Sequence, residues 1–375
     1  MSDPVNFQEL PASGARRVGV VSLNSPKTLN GLSLAMCEVL AERLDAWARD
    51  PAIAAVVLKG EGEKAFCAGG DLHGIYRGMV ENTSGQAWND TYAKEFFKVE
   101  YRLDHTIHCY PKPVICWGSG IVMGGGVGLM MGAGHRIVTD TTRFAMPEIS
   151  IGLFPDVAGT WMLSRMPRGI GLFLALTGAQ LGASDCIHLG LADYSCGSGD
   201  LGGLLDALAA LQWDADPTRH GAQIDTLLHS FDSGLAQTPG PLQRHAVMLR
   251  TACQSPDFLQ VCTAVAQFSE HEDPWLQRAA RTFSAGSPGS ARLSFTLLRR
   301  AQHMSLADAL RQEYIISLNS TVRGDLREGI RALLIDKDKN PMWNPPRHED
   351  ATEQWVEQFF QVPWPDGVPH PLVDL

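Results

Sequence analysis

Two glycine-rich turns are suited to holding a developing negative charge: Cys67-Ala68-Gly69-Gly70-Asp71 and Met123-Gly124-Gly125-Gly126-Val127-Gly128. Each follows a strand-like segment and precedes a helix-like one. Glycine lets a backbone approach a ligand closely and leaves N–H groups free at a helix N-terminus. Two such groups converging on one oxygen would form an oxyanion hole, each donor worth roughly 3–4 kcal/mol on removal. Tight turns and close helix packing would use the same glycines, so the pattern alone leaves both readings open. A nucleotide-phosphate loop is a poorer match. Gly126, Gly128 and Gly132 give GxGxxxG, not GxGxxG, and no GxxxxGK[ST] occurs.

Downstream lie two carboxylates, Glu148 and Asp156, each directly after a proline. Phe144, Met146, Ile149, Ile151, Leu153 and Phe154 surround them in sequence. Such neighbours desolvate an acid and raise its pKa toward the range useful for general acid–base work. Helix-capping or salt-bridged acids are the plainer alternative. Metal chelation by the pair lacks a clear third ligand nearby.

Elements must position these residues. Over the first two hundred residues, strand-like and helix-like segments alternate, which predicts an α/β core with crossover helices. Residues 17–23 read as a β-branched strand broken by Asn24-Ser25-Pro26. Ser33 reads as the N-cap of a helix carrying Leu40, Leu44 and Trp47 on one face, ending before Asp50-Pro51. Residues 53–59, 113–117, 136–139 and 143–146 read as further strands, 61–70 as a turn-rich connection and 90–108 as a helix. Beyond about residue 200 the strand signal fades into helices at 201–213, 221–230, 258–268 and 305–322. The segments 341–347 and 362–370 read as extended tails packed by tryptophan. The expected organisation is therefore an α/β half, 1–200, holding glycine turns and carboxylates, followed by a mostly helical region, 201–375.

The 375 residues suffice for one large domain or two coupled ones. Lys and Arg number 31 against 41 Asp and Glu, and the net charge of −10 argues against a nucleic-acid partner. Apolar residues at 45% exclude wholesale disorder. The eight cysteines include no CxxC pair and read as reduced thiols, so neither structural zinc nor a disulfide scaffold is expected. Asp3 and Glu9, with no apolar run beside them, argue against a secretory signal, and cytoplasm is the expected compartment. The uncharged run 113–134 is long enough to span a bilayer, and Gly120, Gly124, Gly128 and Gly132 recur at membrane-helix spacing. Glycine costs about 1 kcal/mol inside a helix, which favours a buried strand, a turn and a buried helix instead. No membrane partner is expected. His105 and His108, beside Asp104, read as an exposed or satisfied helix face and not as a metal site or proton relay.

The segments AFCAGGDL (65–72), KPVICWGSGIVMGGGVGL (112–129), FAMPEISIGLFPDVAGTWMLSR (144–165) and LALTGAQLGASDCIHLGLADY (174–194) resemble the crotonase, or enoyl-CoA hydratase/isomerase, superfamily. The late EGIRALLIDKDKNPMWNP (328–345), together with MGGGVG, FAMPE and IGLFPDVAG, is similar to its 3-hydroxyisobutyryl-CoA hydrolase branch. The resemblance covers nearly the whole chain and is weakest at about 200–285. It implies an α/β, crotonase-like (ClpP/crotonase) spiral core of ββα units followed by a mostly helical C-terminal region.

By the same resemblance, the amides of Gly70 and Gly125 match the oxyanion-hole donors for a thioester carbonyl. Glu148 matches the branch's catalytic glutamate, Asp156 its companion acid and Glu100 a substrate-binding glutamate. Hydratases of the superfamily carry a first catalytic glutamate two residues after GGG. Here that position is Gly128, as in the hydrolase branch. The resemblance thus implies hydrolysis of a short β-hydroxyacyl-CoA, 3-hydroxyisobutyryl-CoA, within valine breakdown, with Glu148 activating water or attacking directly. A hydratase or isomerase with a rearranged site stays open, as does a non-catalytic acyl-CoA-binding or scaffold protein. No metal or redox cofactor is implied, because CoA arrives with the substrate. Lys27, Arg77 and Lys112 are candidates for its phosphates. Crotonase-fold proteins often form homo-oligomers through C-terminal helices, which in this branch could instead cover their own core.

Overall fold

Parallel strands need crossover connections, and the alternation along the first two hundred residues supplies them. The computed structural model describes residues 3–375. Among these the strands are β1 (Val5–Pro11), β2 (Arg17–Leu23), β3 (Ile53–Gly60), β4 (Ala65–Cys67), β5 (Val114–Gly118), β6 (Ile121–Met123), β7 (His135–Thr139), β8 (Arg143–Ala145) and β9 (Tyr194–Cys196). One six-stranded sheet has the order β1-β2-β3-β5-β7-β9, and β4-β6-β8 form a three-stranded sheet. β1 is antiparallel to β2, while β2-β3, β3-β5, β5-β7 and β7-β9 are parallel. Parallel sheets are covered on both faces, which is why residues 53–58 are apolar and buried without alternation. The helix Leu34–Arg49 makes the crossover from β2 to β3. Ser33 Oγ accepts the Met36 amide at 3.2 Å, and Leu40, Leu44 and Trp47 are buried, as their spacing predicts.

Four strands escape the sequence reading. β4, β6 and β9 are three residues each, too short for a period to show. β1 alternates until Glu9, an acid where an apolar residue would continue the pattern. Glu9 accepts from Trp47 Nε1 at 2.7 Å and pairs with Arg17 at 2.6 Å. The uncharged run resolves into β5, β6 and the helix Gly125–Gly132. No helix among the described residues is long and apolar enough to cross a membrane. Of the helices expected beyond residue 200, three are shortened, to Leu201–Ala210, Phe258–Ala266 and Leu306–Ser320, and the fourth is shifted by one residue to His220–His229.

Two compact units interleave along the sequence. The first takes the chain up to Gly70, Leu103–Phe144 and Gln180–Arg244; the second takes Asp71–Arg102, Ala145–Ala179 and His245–Leu375. Every strand begins in the first unit. The change of composition near residue 200 marks the end of the strands, whereas residues 201–244 remain with them. Leu204, Leu208, Ile224 and Leu228 share one buried cluster with Val20, Val57 and Ile137. In the second unit, the wholly buried helix Ile170–Thr177 packs against later helices, with Phe173 and Trp275 ring centres 5.6 Å apart. Ser290 Oγ, on the helix Pro288–Ala301, donates to the Leu153 carbonyl. The C-terminal helices after residue 244 thus fold on the chain's own residues 145–179. Both tails are held by tryptophan: Trp343 Nε1 donates to Ala285 O at 2.9 Å, and Trp364 lies 6.0 Å from the Tyr314 ring.

Candidate active site

β4 and β6 run parallel, with Cys67 opposite Val122. Gly70 lies three residues after Cys67 and Gly125 three after Val122, so both glycines leave the same end of adjacent strands. The turns require backbone that side chains resist: φ is 123° at Gly69 and 49° at Gly124. Gly124 precedes the helix Gly125–Gly132, whose first amides have no intrahelical acceptor. The Gly125 N–H can therefore serve a ligand oxygen, supported by the positive end of the helix. The Leu32 amide donates to Gly69 O at 2.8 Å and pins the other turn. Close approach explains Gly128. A Cβ there would lie 2.7 and 2.8 Å from the carboxylate oxygens of buried Asp104, so no side chain fits without displacing that acid.

The carboxylates belong to the second unit. Glu148 opens a short 3-10 turn, Glu148–Ile151, and only 5% of its surface is exposed. Its Oε2 has no hydrogen-bond partner among the described residues. Burial lifts its pKa well above the ordinary carboxyl range, and the charge of Asp156 adds to the rise. Asp156 is pushed up by burial to about 6, while a hydrogen bond from the Tyr101 hydroxyl, 2.7 Å from Oδ2, works the other way. With that proton committed, Ser317 Oγ, 2.7 Å away, donates to the Tyr101 oxygen. Glu100 is one residue before Tyr101 on the helix Thr91–His108, and it too is buried.

Beyond Asp156 the backbone enters the left-handed region at Val157 (φ 51°) and Ala158 (φ 66°), which is costly for a β-branched residue. Glu313 holds it there. Its carboxylate accepts the Ala158 amide at 2.8 Å, the Thr160 amide at 3.1 Å and the Thr160 hydroxyl. Burial pushes Glu313 up to about 8. Tyr101, Ser317 and Glu313 carry no local motif that marks them as partners of Asp156. Glu313 shares the helix Leu306–Ser320 with Asp308 and Arg311, so its sequence does not single it out.

Of the cations considered for CoA phosphates, Lys112 is a structural tie, its Nζ donating to the carbonyls of Trp47 and Asp50 at 2.5 Å. Lys27 and Arg77 are exposed. All eight cysteines are free thiols, and only Cys109 is exposed. His108 is held below its ordinary pKa by burial and by Arg136. No group of three His, Cys, Asp or Glu side chains that could hold a metal occurs among the described residues.

Residues 18–360 match the model of a family described as enoyl-CoA hydratase/isomerase. Over 347 residues the chain is 36% identical to the mitochondrial 3-hydroxyisobutyryl-CoA hydrolase of Gallus gallus, covering 92% of this chain and 86% of that protein. It is 34% identical over 352 residues to the probable 3-hydroxyisobutyryl-CoA hydrolase 3 of Arabidopsis thaliana, covering 92% and 89%. Among solved structures, a carnitinyl-CoA dehydratase from Mycobacterium thermoresistibile is similar with a TM-score of 0.82 at 35% identity, covering 96% of this chain and 97% of that one.

Proposed function

Since the chain belongs to the enoyl-CoA hydratase/isomerase family, we propose that it hydrolyses 3-hydroxyisobutyryl-CoA to 3-hydroxyisobutyrate and CoA. Relatives bearing that hydrolase name in animals and plants are 32–36% identical over about nine-tenths of the chain. The observation that carries the choice within the family is at position 128. Hydration of a C=C bond divides proton transfers between two carboxylates, and here the first of them is replaced by a glycine packed against Asp104. Thioester hydrolysis needs one base and one oxyanion hole.

In this reading the Gly70 and Gly125 amides stabilise the thioester oxygen as it gains charge. Glu148 takes a proton from water as general base, and its raised proton affinity makes it a stronger base than a solvated carboxylate. Asp156, tethered by Tyr101, tunes that affinity as the second member of a coupled pair. Glu100 accepts the substrate's 3-hydroxyl. An ester without that hydroxyl forgoes this hydrogen bond, which discriminates against plain acyl-CoA. CoA enters only as part of the substrate, and no further cofactor is invoked. Valine breakdown is proposed as the setting of this reaction. Cytoplasm remains part of the proposal; the animal relatives are mitochondrial by name, and subcellular fractionation decides. Self-association is proposed too, and sedimentation velocity measures it.

Thiol release tests the reaction. CoA should appear faster from 3-hydroxyisobutyryl-CoA than from its saturated counterpart. Similarity to the Mycobacterium dehydratase favours a second reading, dehydration or hydration, in which an unsaturated ester loses its enoyl absorbance without free thiol. That outcome would replace the hydrolase reading.

A further inference from the structure

The helices Ile170–Thr177 and Pro288–Ala301 pack together in the second unit, and a cavity of about 570 Å³ opens beside them. Its floor is apolar: Leu163, Leu172, Phe295 and Leu298 are all buried. Gly171 closes one side. A Cβ there would collide with the Leu163 carbonyl, so only glycine lets the helix start settle on the preceding turn. None of Gly70, Glu100, Gly125, Glu148 and Asp156 lines this cavity.

The charges in its wall are of one sign. Arg168 and Arg299 stand exposed at the rim, and no Asp or Glu lines the cavity. Neighbouring arginines are committed elsewhere. Arg165 donates to the carbonyls of Trp161, Ala301 and Met304, while Arg292 pairs with Glu353 and Arg300 with Glu357. Arg168 and Arg299 make no ion pair among the described residues. Uncharged groups hold Arg299 in place: its Nη2 donates to the Ser255 carbonyl at 2.8 Å, and its guanidinium lies 4.1 Å from the Phe295 ring centre. Burial pushes its pKa down, and the positive charges of Arg168 and Arg292 push the same way. Two guanidinium groups therefore share one cavity against their own repulsion, in a chain of net charge −10. The helix start at Gly171 adds a dipole of the same sign.

We infer that this cavity binds a small organic anion, its charged group bridging Arg168 and Arg299 and its apolar body lying on Leu163, Leu172, Phe295 and Leu298. The anion is a second ligand, because the residues assigned to the thioester all lie outside this wall. A guanidinium fork matches the oxygens of a carboxylate or a phosphate. The volume falls within the roughly 300–1,000 Å³ of small-molecule sites, which join an apolar lining to a few placed polar groups. A carboxylic acid and a phosphate monoester offer the same chemistry, so the test compares them.

Titration calorimetry of the full chain with phenyl phosphate and with benzoate sets the two headgroups on one flat body, and the tighter binder identifies the headgroup. Inorganic phosphate lacks the body and benzyl alcohol lacks the charge, so each should bind about tenfold more weakly than the tighter anion. Arg168→Ala with Arg299→Ala should weaken that anion by about tenfold for each arginine removed. Arg168→Ala alone keeps the Ser255 and Phe295 contacts of Arg299, so its thermal midpoint should match wild type while its affinity falls about tenfold. Arg281→Ala, in the wall of a separate cavity, should leave the affinity unchanged. The KM for the CoA ester should not change in the double variant. Unchanged anion affinity in the double variant overturns the inference, as does an equal loss in Arg281→Ala. Benzyl alcohol binding as tightly as the anions would reduce the site to an apolar hollow, and inorganic phosphate doing so would reduce it to surface charge; either result also overturns it. A KM that rises in parallel would make this wall part of the substrate site and do the same.

Discussion

The amide donors of the first unit and the buried acids of the second are held by different means. Backbone alone fixes Gly70 and Gly125: two paired strands, two positive-φ glycines and one helix start. Side chains distant in sequence fix Asp156, through Tyr101 and then Ser317, 216 residues further along the chain. The difference follows from desolvation. An N–H at a helix start keeps its dipole whatever surrounds it, whereas an acid taken out of water drifts toward its neutral form unless donors hold it. The glycine turns are thus a local device, and the carboxylates are a tertiary one.

Removing the base should have the largest effect. Glu148→Gln should lower kcat for CoA release by about 10²–10⁴-fold, the usual contribution of a general base. Burial already favours the neutral form of Glu148, so the amide should cost little stability and leave the thermal midpoint nearly unchanged. Activity within tenfold of wild type would show that the second unit does not drive the chemistry. The matching experiment on the first unit is Gly125→Pro. Proline is tolerated at the first helical position, yet it deletes the one donor in question. A loss of about 10²–10³-fold in kcat with an unaltered circular dichroism spectrum is expected. An unaffected kcat would remove Gly125 from the oxyanion hole.

The same contrast explains what could be read in advance. The turns were legible because glycine signals positive φ and close approach within a few residues. The helix Leu34–Arg49 was legible because Ser33 caps it and its apolar positions repeat. β4 and β6, which aim the two turns, were not; three residues cannot display a period. Glu148 and Asp156 stood out as acids in apolar strings. Their partners did not, because Tyr101 and Glu313 look like ordinary residues of amphipathic helices until the chain is folded.

Asp156→Asn sharpens the electrostatic half of the comparison. Glu148 is raised chiefly by burial and secondarily by the charge of Asp156. A neutral asparagine removes the second cause, so Glu148 should ionise at lower pH. The acid limb of kcat/KM should shift toward lower pH, while the plateau falls by roughly tenfold as one member of the pair is lost. A limb that stays in place would mean the rate does not follow Glu148 ionisation.

The smallest effect on turnover is expected at Glu313, which supports the Val157–Ala158 backbone and is assigned no contact with the substrate. Glu313→Gln should change kcat by less than tenfold, yet its stability profile should be distinctive. The folded-state pKa of about 8 lies above the 4.5 of an ordinary glutamate. The folded protein therefore retains a proton that the unfolded chain releases. The stabilisation from that proton is complete below about pH 4.5 and is lost as pH rises toward 8. Glutamine does not titrate. Its amide nitrogen, however, must face donors that the carboxylate accepted, at a cost of about 1–3 kcal/mol at every pH. Wild type should exceed the variant most at pH 5, and the gap should narrow steadily toward pH 8. Subtracting the two denaturation curves cancels the titration of Asp156 and Glu148 wherever Glu313 does not alter it. A gap that stays constant would show Glu313 ionised throughout, its charge held by the Ala158 and Thr160 donors, and burial would then not neutralise that acid.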